Sequence, residues 1–138
     1  MLSDWLMWVW VTIMIFAVTL GGMVMQAAGY QMGVVQQEAQ EVAIYEGQYG
    51  GYDINAANSI ERFTQQENLS SGQVKVNVSP PGAPVPYGTE VTAHLSVPFK
   101  FQLGTWITPF TVNLTGSGRS VSVYTPGVTP DTTYETPI

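Results

Sequence analysis

Few side chains in this sequence of 138 residues have the chemistry that catalysis or metal binding requires. His94 is the only histidine, and the absence of cysteine excludes disulfides, thiolate metal ligands and cysteine nucleophiles. The sequence contains no G-x-S-x-G, phosphate-loop or HExxH motif. His94 falls on the polar side of an alternating pattern, where a surface histidine needs no special role. We therefore expect a protein that is not an enzyme, with no cofactor and no metal site.

Three glutamates, Glu38, Glu41 and Glu46, lie in the part of the sequence that follows the apolar stretch. Such a group could bind a cation, but the simpler interpretation is a solvated helix face.

Asp4 lies just before a long apolar stretch, where a charge is unfavourable unless it is paired or hydrated. One interpretation is an N-terminal helix cap at the lipid headgroups, assisted by Ser3. The other is that its carboxylate pairs with the N-terminal ammonium of a neighbouring subunit. The two interpretations are compatible.

Two segments match the N-glycosylation pattern, Asn68-Leu69-Ser70 and Asn113-Leu114-Thr115. Asn68 and Asn113 are therefore possible glycosylation sites in a host that glycosylates its proteins. A third match at Asn77 precedes Pro80, which disfavours it.

The element that carries Asp4 is an apolar segment, Trp5 to Met25, with no charge and no proline. A helix of this length spans about 30 Å, the thickness of a bilayer's hydrocarbon. A signal peptide is disfavoured because the apolar run is too long and the start is acidic. Apolar residues then recur at three- and four-residue spacing, which predicts one helix from about Ser3 to about Glu46, ended by Gly47.

Small residues are frequent along this helix: Ala17, Gly21, Gly22, Gly29 and Gly33. Small side chains let two helices approach closely, and residues 29–33 form a GxxxG motif. The alternatives are that the glycine pair marks a kink, or that glycine is simply commoner in membrane helices.

The rest of the chain predicts a second, short amphipathic helix capped by Asp53 or Asn55, followed by a sheet. Alternating apolar residues predict strands at 73–78 and 91–103, with Pro98 marking an edge or a bend. Two more strands are predicted at 105–114 and 119–125, joined by a hairpin turn, TGSG, at 115–118. The expected class is α+β with about four antiparallel strands. The expected domains are a long helix, 1–47, and a small globular head with a Pro/Thr-rich tail, 48–138.

The net charge of −6 and the scattered positions of the four basic residues argue against nucleic acid as a partner. Charged residues make up only 10% of the chain, about half of the usual share or less.

The layout resembles the type IV pilin superfamily, most closely the TadE-like pilins of tight-adherence systems. The resemblance rests on "SDWLMWVWVTIMIFAVTLGGMVMQ", on its amphipathic continuation "VVQQEAQEVAIYEG", and on a sheet strand such as "GTEVTAHLSVPFKFQL". It covers most of the chain as a pattern and contains no sharp motif. Asp4 corresponds by position to the acidic residue near the mature N-terminus, which in that family is usually Glu.

This resemblance implies a structural subunit that is held in the membrane and then extracted by pilus assembly machinery. The implied product is a homopolymeric filament at the cell surface, with bundled N-terminal helices as its core. Two alternatives remain. One is a single-span minor pilin or a component of a secretion or conjugation apparatus. The other is a membrane-tethered module whose β domain binds a ligand such as a sugar.

Overall fold

The computed structural model describes residues 1–70, 72–102, 105 and 108–138. Helix α1 spans Leu2–Tyr49 and helix α2 spans Ile54–Gln66. Strands β1 (Lys75–Ser79), β2 (Glu90–Phe101) and β3 (Phe110–Val121) follow. The predicted α+β class is confirmed. The contacts divide the chain into two compact units, Met1–Gln31 and Met32–Ile138, and α1 contributes to both.

The first unit consists of Met1 and the first thirty residues of α1, Leu2 to Gln31. Its side chains are almost all exposed, so no part of it serves as a hydrophobic core. The helix forms because its sequence is rich in Leu, Met and Ala and contains no proline before residue 80.

In the second unit, α1 buries one stripe of small and β-branched residues with helical spacing: Val35, Ala39, Val42, Ala43, Glu46 and Gly47. Most of them join a core with residues of α2 and of all three strands. The predicted end of the helix is three residues too early, because Gly47 is buried inside it. Gly50 ends the helix instead, with a φ of 76°, and the N–H of Gly51 donates to the carbonyl of Glu46 at 3.0 Å. This is the hydrogen bond of a glycine-terminated helix.

Asp53 is the N-cap of α2, one of the two caps that the sequence predicts. Its carboxylate accepts a hydrogen bond from the backbone N–H of Ala56 at 3.0 Å. Fully buried, it also accepts from Asn55 and from Thr132 of the C-terminal tail. The tail is irregular, yet it is fixed beside residues 52–54 by backbone hydrogen bonds and one isolated bridge to Tyr134.

The sheet is antiparallel with the order β1-β2-β3. Strand β2 shows the predicted alternation, and Val91, Ala93, Leu95, Val97 and Phe99 are buried. The predicted end of this strand, Leu103, lies outside the described residues.

Pro98 lies in β2, the central strand, opposite Asn113 of β3. The last pair with β1 is Lys75 with Ser96, so Pro98 stands beyond the end of β1. In the alternating pattern of this ladder its nitrogen points to the β1 side, where no hydrogen bond is lost. Pro98 therefore marks a local edge, as the sequence indicates.

The prediction of about four strands with a TGSG turn is wrong in the part of the chain that the structure describes. Residues 115–118 lie in the middle of the single strand β3. Gly116 and Gly118 face α1, where an added Cβ would collide with the backbone of Val35 and of Ala39. These glycines serve a close approach of two backbones and not a turn. Trp106 and Ile107 of the predicted strand at 105–114 lie outside the described residues.

Candidate assembly segment and candidate pocket

The apolar segment of α1, residues 5–25, is the largest exposed apolar feature of the first unit. Thirteen large apolar side chains within it are between 41% and 81% exposed. Helix α1 is long and apolar enough to cross a membrane, and none of its most apolar 18-residue stretch is buried. The core helix of a globular protein is mostly buried, so this stretch differs from one.

Asp4 lies in the first turn of α1, where the positive end of the helix dipole favours a carboxylate. Its Oδ2 is 3.6 Å from the amino nitrogen of Met1, and both groups are exposed. Within one chain, Asp4 therefore already lies beside an ammonium group. Its pairing with a neighbouring subunit stays a prediction.

The glycines predicted to assist helix packing are open in the single chain. A Cβ added at Gly21, Gly22, Gly29 or Gly33 would meet nothing within 4 Å. Ala17 is exposed as well. Their lack of side chains is therefore not required by any contact with the described residues of their own chain. This leaves room beside them for another helix, and their role in assembly stays a prediction.

The other predicted residues lie apart from this segment. Asn68 is exposed just after α2 and adopts a φ of 51°, and Asn113 is exposed on β3. Both side chains are accessible for modification. His94 is exposed on the outer face of β2, the position expected for a surface histidine.

Glu38, Glu41 and Glu46 do not form one solvated face. The Ser59 hydroxyl of α2 donates to Glu38 and, at 3.3 Å, to Glu41, while Arg62 lies 3.7 Å from Glu41. Burial raises the pKa of Glu38, and the hydrogen bond from Ser59 partly offsets that rise. Among the described residues no three acidic or histidine side chains are grouped so that they could hold a metal ion.

The Glu46 side chain lies in the interior of the second unit, with only 2% of its surface exposed. Its Oε1 has no hydrogen-bond partner among the described residues, and burial raises the pKa of its carboxyl to about 8. The neighbouring Tyr52 has its pKa raised to about 12, first by burial and then by the Glu46 charge. No local pattern in the sequence indicates this burial, because a glutamate near the end of a helix is normally solvated.

Glutamine side chains form a second feature that the sequence analysis missed. Gln40 donates from Nε2 to the carbonyl of Arg119 at 2.9 Å and accepts from the N–H of Arg119 at 3.2 Å. Gln36 makes the same pair of hydrogen bonds with Ser117. The two amides thus replace two peptide groups of a missing neighbouring strand along the edge of β3. The spacing of four residues between these glutamines and the GxG of β3 are the signals that could have indicated it.

Comparisons of this chain with protein-family models, with characterised proteins and with solved structures find no match. The functional interpretation therefore depends on the geometry of the exposed apolar segment and of the Glu46 pocket.

Proposed function

We propose that this chain is a structural subunit of an extracellular pilus-like filament, which polymerises through its N-terminal helix and is held in a membrane before assembly. The observation that carries the proposal is the apolar segment 5–25, which is exposed along its whole length.

The size of this segment argues that it does not remain in water. Burying one large apolar side chain stabilises it by roughly 1.5–3 kcal/mol. For thirteen side chains at the observed exposures the total is on the order of 10–20 kcal/mol. This total free energy of burial is as large as the roughly 5–15 kcal/mol by which a typical domain is stable against unfolding. Only lipid or other apolar helices can supply so large an apolar environment.

The small residues favour a filament as the final state. Lipid contact requires only that a helix be apolar, whereas helix-to-helix contact in a bundle is improved by small side chains. Gly21 and Gly22 weaken the helix by about 1 kcal/mol each relative to alanine. Among the described residues, no neighbour within 4 Å of a Cβ at these two positions requires glycine. Contact with another subunit's helix would account for them.

Asp4 gives the proposed filament a means of setting the register between subunits. A carboxylate that enters an apolar bundle must be paired or hydrated. The N-terminal ammonium of an adjacent subunit would satisfy it there, in place of the exposed pair within one chain.

A second candidate function is a single-span component of a secretion or conjugation apparatus. The membrane-compatible length and composition of α1 favour it, because they suit permanent residence in a bilayer equally well. In that case the chain stays in the membrane and the glycines reflect only the composition of membrane helices.

Disulfide crosslinking in the native host tests the proposal, because the chain contains no cysteine of its own. We expect Gly21→Cys to give disulfide-linked dimers of this chain in surface filaments after mild oxidation. Val128→Cys, on an exposed loop of the second unit, controls for random oxidation. Dimers from Val128→Cys alone, or from neither variant, would contradict packing of the helices against one another.

A further inference from the structure

The second unit contains a pocket of about 240 Å³ with Glu46 in its wall. The pocket lies between the last turn of α1, the end of β1 and the C-terminal tail. Its inner wall is buried, whereas its rim includes exposed residues such as Gly82 and Glu135. The lining residues that matter here are Glu46, Tyr52, Val78, Val85, Val91 and Tyr134.

From this geometry we infer that the pocket is a binding site for a primary alkylammonium group, with the Glu46 carboxylate as its counter-ion. This inference is independent of the proposed filament. It would stand for a membrane-anchored protein as well.

One carboxyl oxygen of the buried Glu46 has no hydrogen-bond partner among the described residues. Buried polar atoms are almost always hydrogen-bonded, so a buried carboxyl oxygen without a partner requires an explanation. Glu46 is 98% shielded from solvent and its Oε1 has no partner among the described residues. A ligand with N–H donors and a positive charge supplies what this oxygen lacks.

The composition of the pocket wall favours an alkylammonium ion over a metal ion. Divalent metal ions require several oxygen ligands, whereas Glu46 is the only buried carboxyl among the described lining residues, beside apolar and aromatic groups and the hydroxyls of Ser79 and Thr136. Val78, Val85 and Val91 suit an alkyl chain. Tyr52 and Tyr134 add aromatic rings to the lining, and such rings attract a cation. At roughly 30 Å³ per water-sized group, the volume accepts a ligand of up to about eight non-hydrogen atoms.

The charges around the pocket determine how binding depends on pH. Tyr52 and Tyr134 line it, Glu135 stands at its rim and Asp53 lies behind Tyr52. The strands contribute Val78, Ser79 and Val91 to the lining, and no lysine or arginine is among the described residues that line the pocket. Burial raises the pKa of the Glu46 carboxyl to about 8, so this carboxyl is mainly protonated near pH 7 when no ligand is bound. Binding of an ammonium ion must then release the carboxyl proton.

Titration of the full chain in detergent micelles with n-butylammonium chloride tests this inference. The readouts are calorimetry and the ring signals of Tyr52 and Tyr134 in NMR spectra. Because the ionised fraction of Glu46 changes with pH, we expect the affinity to rise about 50-fold from pH 6 to pH 8. n-Butanol, which has the same chain without the charge, should show no such dependence.

Two isosteric variants separate a specific counter-ion from general negative charge. Glu46→Gln should weaken binding at pH 8 by at least about tenfold, the effect of losing a charge-assisted hydrogen bond, and should remove the pH dependence. Glu61→Gln, which removes an exposed charge on α2 outside the lining of the pocket, should leave both the affinity and its pH dependence nearly unchanged.

A lysine analogue, N-acetyl-lysine methylamide, separates the two sources of such a group. Binding of this analogue as well as butylammonium indicates a lysine side chain of a protein partner, whereas binding of butylammonium alone indicates a free amine. Absence of any saturable shift of the two tyrosine rings would overturn the inference and leave water as the partner of Glu46. Equal binding by Glu46→Gln would also overturn it.

Discussion

Gly116 and Gly118 set the distance between α1 and the sheet in the second unit. Successive inward positions of β3 are Leu114, Gly116 and Gly118, and the two glycines leave space that the backbone of α1 fills. Here the lack of a side chain is required by packing and not by a turn. The open glycines of α1, such as Gly33, are the opposite case.

Substitution of these two kinds of glycine should have opposite effects on stability. Gly118→Ala places a Cβ against the Ala39 backbone, which cannot move aside. We expect a loss of about 2–3 kcal/mol in the free energy of unfolding, measured by urea denaturation of the full chain in mild detergent. Gly33→Ala, in open space on a helix, should instead gain up to about 1 kcal/mol. An equal effect of the two substitutions would contradict the close approach.

Glu46 should make the folded state less stable as the pH rises. Its carboxyl has a pKa of about 8 in the folded chain and about 4.5 when unfolded. Between these values the folded state holds the proton and the unfolded state does not. The free energy of unfolding should therefore fall by about 1.4 kcal/mol per pH unit. Denaturation at several pH values, without added amine, measures this slope.

The control for that slope is Glu46→Gln, which stays neutral at every pH. In this variant most of the fall in the free energy of unfolding with rising pH should disappear, and the variant should be more stable than the native chain near pH 8. A residual slope of the same sign is expected from Glu38, because its pKa is also raised. An unchanged slope in Glu46→Gln would show that Glu46 is not the group responsible.

At the scale of elements, α1 protects the free edge of the sheet. Unpaired N–H and C=O groups on an edge strand favour pairing with another chain. Gln36 and Gln40 satisfy these groups at Ser117 and Arg119. Further along, the N–H of Val123 donates to the carbonyl of Gly47 at 2.8 Å. The helix therefore covers this part of β3 as a strand would.

Removing the two amides should open that edge. A hydrogen bond stabilises the folded state by about 0.5–1.5 kcal/mol net, and less where it is exposed. For the four bonds removed in the double variant Gln36→Ala, Gln40→Ala, we expect the free energy of unfolding to fall by about 1–3 kcal/mol. Amide hydrogen exchange at Ser117 and Arg119 should become about tenfold faster or more. Gln37→Ala, an exposed neighbour on the same helix, should leave both rates unchanged. Unchanged exchange in the double variant would show that the edge is protected by other means.

The sequence predicted those elements whose pattern continues over many residues. The apolar stripe of α1 and the alternation of β2 repeat often enough to identify both elements and their buried faces. The TGSG segment was misinterpreted because glycine has two uses, at turns and at close approaches, and only the partner helix distinguishes them. The glutamine contacts and the Glu46 pocket depend on residues about 80 positions apart and on the tail, which no local pattern reveals.

The apolar segment 5–25 requires an apolar environment that the described residues of the single chain do not supply. In the proposed filament, that environment is lipid first and neighbouring helices afterwards. In this proposal, transfer of the segment from lipid to the helix bundle depends on close packing at the small residues and on pairing of Asp4.

A bulky residue at the glycine pair should affect assembly and not folding. A Cβ at Gly22 would meet nothing within 4 Å among the described residues, and leucine improves the helix propensity, so we expect normal membrane insertion of Gly22→Leu. Filament yield should fall strongly, because the added side chain separates neighbouring helices. Val18→Leu, at a position that already carries an exposed apolar side chain, is the matched control. Normal filaments from Gly22→Leu would exclude close packing at this position.

Removal of the Asp4 charge tests the register between subunits. Asp4→Asn keeps the size of the side chain, and we expect it to reduce filament yield while membrane levels of the subunit remain normal. Asp131→Asn removes the same charge from an exposed position in the tail and should assemble normally. Equal yields from the two variants would leave the pairing of Asp4 without support.

The composition of filaments sheared from the native host's surface tests the central claim most directly. Electron microscopy identifies the filaments, and mass spectrometry of the same fraction identifies their protein. We expect filaments in which this chain is the main component, and we expect deletion of its gene to abolish them. Recovery of the chain only from the membrane fraction, with filaments absent or unchanged by the deletion, would contradict it.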